Sequence, residues 1–206
     1  MILNNEEIKN LNKNIEPFDE SKLGNASYDL SVEKIITMDG TERDSYYRVK
    51  SQEMVWVICR EKLKMPKNII GFAHVKTKLT REGILSMNTG IIDPTYEGKI
   101  STLLINFGKS EKTIEKNDIV LRVAFAKINE YNNIIPYPAV KNEEAYLAEI
   151  RKSANNFDET FLNLGTMYKK IWKIIAILGA IATIVGLVVL MVHLARYIYA
   201  LISNLT

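Results

Sequence analysis

Cysteine and histidine are nearly absent from this chain. Cys59 stands alone, and His74 and His193 are the two histidines. One cysteine excludes an intrachain disulfide framework, and so few sulfur and imidazole ligands argue against a zinc cluster of the usual spacing. The scarcity fits a reducing compartment. Five prolines and ten glycines are scattered without an internal repeat or a low-complexity segment. A strong charge of one sign is also lacking. The formal net charge is +3 with 25% charged residues, too weak a balance to argue for duplex nucleic acid as a partner. The opening "MILNNEEIKNLNKNIEPFDE" lacks the apolar region of a secretory signal, so the amino-terminal part is expected to stay in the cytosol.

What the chain does have is one long apolar run near its carboxyl end. From Ile174 to Ala195, "IIAILGAIATIVGLVVLMVHLA" carries no formal charge. At the helical rise it spans roughly 33 Å, enough for the hydrocarbon core of a bilayer. Trp172 precedes it, and Tyr197 and Tyr199 follow it, where interfacial aromatics sit. Lys169, Lys170 and Lys173 flank its entrance against Arg196 at its exit. The positive-inside bias then puts residues 1–170 in the cytoplasm of a single-pass inner-membrane protein. A buried core helix of a soluble domain is the other reading. Ala176, Ala180, Ala182 and Gly186 have the small-xxx-small spacing that allows close helix contact in lipid.

Between the ends, residues 30–130 read as strands. "MVWVIC", "NIIGFAHV", "KISTLLINF" and "DIVLRVAFAKI" are short, rich in β-formers and separated by turn residues. In the last of these, Ile119, Leu121, Val123 and Phe125 share one face, with Val120, Arg122, Ala124 and Ala126 on the other. Many short strands at even spacing predict a barrel or a sandwich. Only "NNEEIKNL" at the opening reads as helix in this part. Residues 143–172 are helical again. There Leu147, Ile150, Ala154, Phe157, Phe161, Leu164, Tyr168 and Ile171 follow alternating steps of three and four. That stripe fits a coiled-coil seam running into the membrane segment, or an amphipathic helix lying on the β body.

Three stretches carry a resemblance. "IEPFDESKLGNASYDL", "KTKLTREG" and "GIIDPTYEGKI", in that order and followed by "IVLRV", resemble the dCTP deaminase and dUTPase superfamily over roughly residues 1–130. The resemblance implies a mainly β, distorted jelly-roll β-barrel that is usually a homotrimer and binds a deoxynucleoside triphosphate with magnesium. The expected organisation is a nucleotide-binding domain at 1–140, a linker helix at 141–172, and a transmembrane helix with a short tail at 173–206.

The resemblance also assigns roles. Asp29 in "ASYDL" supports the fold and can reach hydrated magnesium near the phosphates, or it stabilises a turn. The Arg-Ser-Ser-x-x-Arg phosphate motif of the deaminases becomes Lys76, Thr77, Lys78, Leu79, Thr80 and Arg81 here. Lysine at the first position turns a bidentate fork into a point charge. In "GIIDPTYEG", with Gly90 at its head, Asp93 is the expected general base that activates water, and Tyr96 the aromatic that stacks on the sugar. The flanking isoleucines would give Asp93 an apolar wall, the setting that suits a carboxylate to base work. A structural Asp–Pro turn is the plainer alternative. Arg122 aligns with the glutamine of the common "RIAQL" motif and is either an added phosphate contact or an exposed strand residue.

Two departures stand out. Deaminases of the family carry a proton-shuttling glutamate ten residues after the aspartate, where this chain has Leu103; many also have an arginine where this chain has Ile91. A leucine transfers no proton, so cytosine deamination is not expected. The Gly- and Arg-rich arm that closes dUTPase pockets is missing as well. Three functions follow: a nucleotide sensor acting on its membrane segment, as in some antiphage effectors; a membrane-tethered dUTPase-like pyrophosphatase; or a trimerisation cap.

Overall fold

The computed structural model describes residues 1–87, 90–129, 136, 142–160 and 164–203. The chain divides into two compact units, Met1–Leu162 and Asn163–Thr206. The expected boundary between residues 140 and 141 lies outside the described residues.

The first unit is a curled antiparallel sheet with short helices on it. The opening helix α1 (Asn5–Lys9) starts with a capping box, in which the Asn4 side chain accepts from Glu7 N and the Glu7 carboxylate accepts from Asn4 N. The strands are β1 (Ile15–Glu16), β2 (Tyr28–Thr37), β3 (Glu42–Arg43), β4 (Tyr46–Val49), β5 (Met54–Lys64) and β6 (Ile69–Val75). After the one-turn helix α2 (Thr77–Arg81) come β7 (Ile84–Ser86), β8 (Ile91–Ile92), β9 (Glu97–Asn106), β10 (Lys112–Glu115) and β11 (Ile119–Lys127). The sheet order is β7-β9-β5-β2-β11-β6-β8, with β1 on β5, β3 on β2, and a separate β10-β4 ribbon. Strands β2 and β11 are therefore central, while β7 and β8 end the sheet. The period-two reading of residues 54–59, 68–75, 99–107 and 118–128 lands on β5, β6, β9 and β11. One detail differs. A register shift between Ile119 and Leu121 turns Val120 inward, so it is buried together with Leu121, Val123 and Phe125.

Two cores hold this unit. The larger lies inside the curl and gathers Tyr28, Leu30, Val57, Leu104, Val123 and Phe125 among others. Cys59 belongs to it and is fully buried. A carboxylate is buried nearby. Glu61 accepts from Ser31 N at 2.8 Å, Ser31 Oγ at 2.9 Å and Lys22 Nζ at 2.5 Å. These three donors satisfy a charge that would otherwise be costly to bury. Gly71 serves close approach: a Cβ there would meet Val123 Cγ1 at 3.1 Å and Ile92 Cβ at 3.2 Å. Its lack of a side chain lets β8 lie against β6, where Gly71 pairs with Ile92.

The smaller core lies on the outer face under helix α3 (Glu143–Ala154). Leu147, Ile150 and Ala154 bury against Ile36, Met38, Met54, Ile58, Leu103 and Ile105. Of the two readings of the 143–172 stripe, the amphipathic helix lying on the sheet is what the residues up to Ala154 display. The coiled-coil seam is not continuous: α3 ends at Asn155, a poor helix residue, and Phe157 lies in the turn beyond it. The seam position Phe161, and the side chains of Leu164, Tyr197 and Tyr199, lie outside the described residues.

The second unit holds one helix, α4 (Leu164–Ser203), of 40 residues. Its Tyr168–Arg196 stretch contains an 18-residue window of mean hydropathy 2.9 and is long and apolar enough to cross a membrane by length and composition. Tyr168 and Trp172 pack edge to face at 6.1 Å within it. Thr183 Oγ1 donates back to the Gly179 carbonyl at 2.8 Å, so its hydroxyl is satisfied without water.

Candidate functional site

Three of the sequence-selected residues meet on adjacent strands. Asp29 on β2 lies in register opposite Arg122 on β11, and Arg122 in turn lies opposite His74 on β6. Lys76 follows the end of β6. Its amide donates to the Val120 carbonyl at 2.9 Å, which brings its side chain beside the same carboxylate. Asp29 Oδ2 accepts from Lys76 Nζ at 2.6 Å, and Oδ1 accepts from Arg122 Nε at 2.8 Å, with Arg122 Nη2 at 3.4 Å from Oδ2. Burial pushes the Asp29 carboxyl upward, but the hydrogen bonds and charges of Arg122 and Lys76 prevail and hold it below the usual carboxylate range. The same bond raises the Arg122 guanidinium.

Two cations on one carboxylate leave a net positive charge, and Arg122 keeps half its side chain (49%) exposed. Thr77, Lys78 and Arg81 lie exposed on α2, the one-turn helix that begins after Lys76. The result is a basic rim facing water, built over a half-buried acid. Such a rim suits an anion with several oxygens.

The Asp93 turn is built differently from its expectation. Asp93 is exposed, and Ile91 before it is 65% exposed, while Ile92 alone of the two isoleucines is buried. Among the described residues the two isoleucines therefore do not form the apolar wall inferred from the sequence, because β8 is only two residues long and ends the sheet. The turn itself is well made. Tyr96 N donates to the Asp93 carbonyl at 3.2 Å, Thr95 adopts φ 67, and Met65 N donates to the Tyr96 carbonyl at 2.8 Å. Tyr96 packs partly against the inner core and donates its hydroxyl to the Lys99 carbonyl at 2.6 Å. Gly90 is exposed, and its carbonyl accepts from Ala73 N at 3.0 Å.

Leu103 is 3% exposed and lies in the outer core under α3. The position where the resemblance expects a proton-shuttling glutamate is thus filled by packing against the chain's own helix. Magnesium was expected with the nucleotide. Among the described residues no three His, Cys, Asp or Glu side chains converge, and both Asp29 oxygens are taken by cations. The residues therefore do not fit a cation site built by the protein.

Sequence reading missed a second polar cluster at the start of β9. Lys99 Nζ donates to Glu33 on β2 at 2.5 Å and to Glu143 on α3 at 2.7 Å. The available signal was period two, since Lys99, Ser101, Leu103 and Ile105 share the face of β9 that α3 covers.

The class is a mainly β fold, a curled antiparallel sheet that carries a basic rim over a central carboxylate. A family profile described as dCTP deaminase-like matches residues 2–128, and the chain belongs to that family. Curated relatives agree. A dCTP deaminase of Pyrococcus abyssi (strain GE5 / Orsay) is 27% identical over 118 residues, 55% of this chain and 76% of that protein. A dUMP-forming dCTP deaminase of Hydrogenobaculum sp. (strain Y04AAS1) is 27% identical over 131 residues, 56% of this chain and 74% of that protein. Among solved structures, the 2'-deoxycytidine 5'-triphosphate deaminase from Agrobacterium tumefaciens superposes with TM-score 0.54 at 15% identity. That match covers 60% of this chain and 48% of that one, so the chain spans about half of its length.

Proposed function

We propose that this chain is a membrane-anchored nucleotide sensor: a β domain that binds a nucleotide and passes its occupancy toward α4. The observation that carries the reading is the convergence of Lys76 and Arg122 on Asp29. A triphosphate arriving at this rim would compete with Asp29 for the exposed Arg122 and draw on Lys76, Thr77 and Arg81. Asp93, Tyr96 and Gly90 would hold the nucleoside end. Leu103 speaks against deamination, because the outer-core residue there has no proton to give and is covered by α3. In this reading residues 1–140 bind the ligand, 141–172 connect, and 173–206 anchor the chain in an inner membrane with its β domain in the cytosol. The assembly is a homotrimer, and a role as an antiphage effector fits this architecture.

One observation favours a second reading, a nucleotide pyrophosphatase. Asp93 and Tyr96 close the same turn, with the Asp93 carboxylate open to water. Phosphorus NMR of the detergent-solubilised chain with dUTP, dCTP and magnesium separates the two. Broadened phosphate signals without new products support the sensor. Pyrophosphate that disappears in Asp93→Asn, with the fold intact, supports the enzyme. Sharp, unshifted signals from both nucleotides leave a different ligand or a trimerisation cap.

A further inference from the structure

Helix α3 is clamped to the sheet at both ends, and its first clamp reaches back to the Asp93 turn. Arg151 near its end bonds Glu42. Near its start, Tyr146 Oη donates to Ser101 Oγ at 2.7 Å and Glu143 accepts from Lys99 Nζ at 2.7 Å. Lys99 is only 15% exposed. Three residues earlier stands Tyr96, whose hydroxyl is bonded to the Lys99 carbonyl. A short chain of contacts therefore runs from the turn, through one lysine, to the first turn of α3.

Two features make this clamp reversible. Lys99 has a second partner, Glu33, at 2.5 Å, so it can give up Glu143 without leaving an ammonium unpaired. Burial would lower the Lys99 ammonium's affinity for its proton, yet Glu143 and Glu33 together raise it. The second feature lies beneath the helix. Trp56 packs on the outer core, and among the described residues its Nε1 is buried without a hydrogen-bond partner. A buried indole N–H without a partner is a cost in the core that α3 joins.

From this geometry we propose that α3 is a releasable latch governed by the Asp93–Tyr96 turn through Lys99. A ligand that draws the Tyr96 ring onto its own surface removes the hydroxyl from the Lys99 carbonyl; Lys99 then falls back on Glu33, and α3 lifts. The coupling itself is independent of the proposed nucleotide function, whereas the identity of the ligand rests on it.

Hydrogen exchange of the α3 amides in the full-length, detergent-solubilised chain tests both parts. Without ligand, Tyr96→Phe and Glu143→Gln should each speed α3 exchange about fivefold. If Lys99 links them, the double variant should exchange little faster than the faster single variant. Arg151→Gln, at the far end, should instead combine with Tyr96→Phe multiplicatively. Multiplicative behaviour of Tyr96→Phe with Glu143→Gln would overturn the latch. With dUTP or dCTP plus magnesium, bound nucleotide seen by phosphorus NMR should speed exchange of α3 in the unmodified chain and add little in Glu143→Gln. Binding with unchanged α3 exchange would overturn the latch and leave the nucleotide site standing. Linked variants with neither nucleotide bound would keep the latch and exclude dUTP and dCTP as its ligands.

Discussion

Asp29 and Asp93 are the two carboxylates that the motifs single out, and the fold treats them in opposite ways. Asp29 sits on β2, between β5 and β11, and has 17% of its side chain exposed and two cations on its oxygens. Asp93 follows β8 at the end of the sheet and faces water. Along the chain Asp93 was the one expected to have an apolar wall, since it follows two isoleucines, yet Asp29 is the more buried of the two. A carboxylate's surroundings are set by its strand's place in the sheet more than by its neighbours in sequence. Sheet order depends on long-range pairing that no local pattern displays.

The contrast can be broken or sharpened by substitution. The largest effect is expected from adding a carboxylate where the family's would stand. Leu103→Glu puts a charge beneath α3 without a partner, and should cost about 3–5 kcal/mol of stability in thermal or denaturant unfolding. A variant as stable as the parent would mean that α3 does not cover this position in solution. Next, Asp29→Asn removes the anion between Lys76 and Arg122 and should cost about 1–3 kcal/mol, read as a lower midpoint of unfolding.

Titration offers a third comparison. Because the folded Asp29 carboxyl lies below its unfolded value, the stability it contributes is fully present above the ordinary carboxylate range. That contribution is lost as pH falls through the folded value. The parent should therefore lose more stability than Asp29→Asn on acidification below about pH 4, and parallel acid limbs would contradict the pairing. The smallest effect is expected at the other carboxylate. Asp93→Asn should leave stability within about 0.5 kcal/mol of the parent, as for an exposed turn. A drop several times larger would show that Asp93 is covered in the assembled protein.

Much of the β body could be read from the sequence because alternation is a local property. Residues 54–59, 69–75, 99–106 and 119–127 declare themselves through β-branched and aromatic residues at every second place. The opening helix was legible in "NNEEIKNL", while its Asn4–Glu7 capping box emerged only in the structure. The long strand β2 was noticed mainly as a motif, since "SVEK" interrupts its apolar pattern while Ser31 and Glu33 bond to charged partners. Lys76, Arg122 and Asp29 were each selected, yet their meeting was not foreseen, because it depends on the register of β2, β11 and β6. For α3 the stripe alone could not choose between a partner helix and the sheet. What decides is the outer face of β9, where Lys99, Ser101, Leu103 and Ile105 offer a clamp, a hydroxyl and two apolar contacts in sequence.

The one cysteine has a practical consequence. Cys59 pairs with Val32 in the middle of the sheet, and burial raises its thiol far above the ordinary range. A thiol that is both inaccessible and protonated is a poor nucleophile toward water-soluble alkylating reagents. The folded protein is in effect cysteine-free to such reagents, so a cysteine introduced at the surface would carry the only label. Slow modification of Cys59 itself would then time the opening of the sheet's centre, giving an unfolding clock that needs no engineered probe.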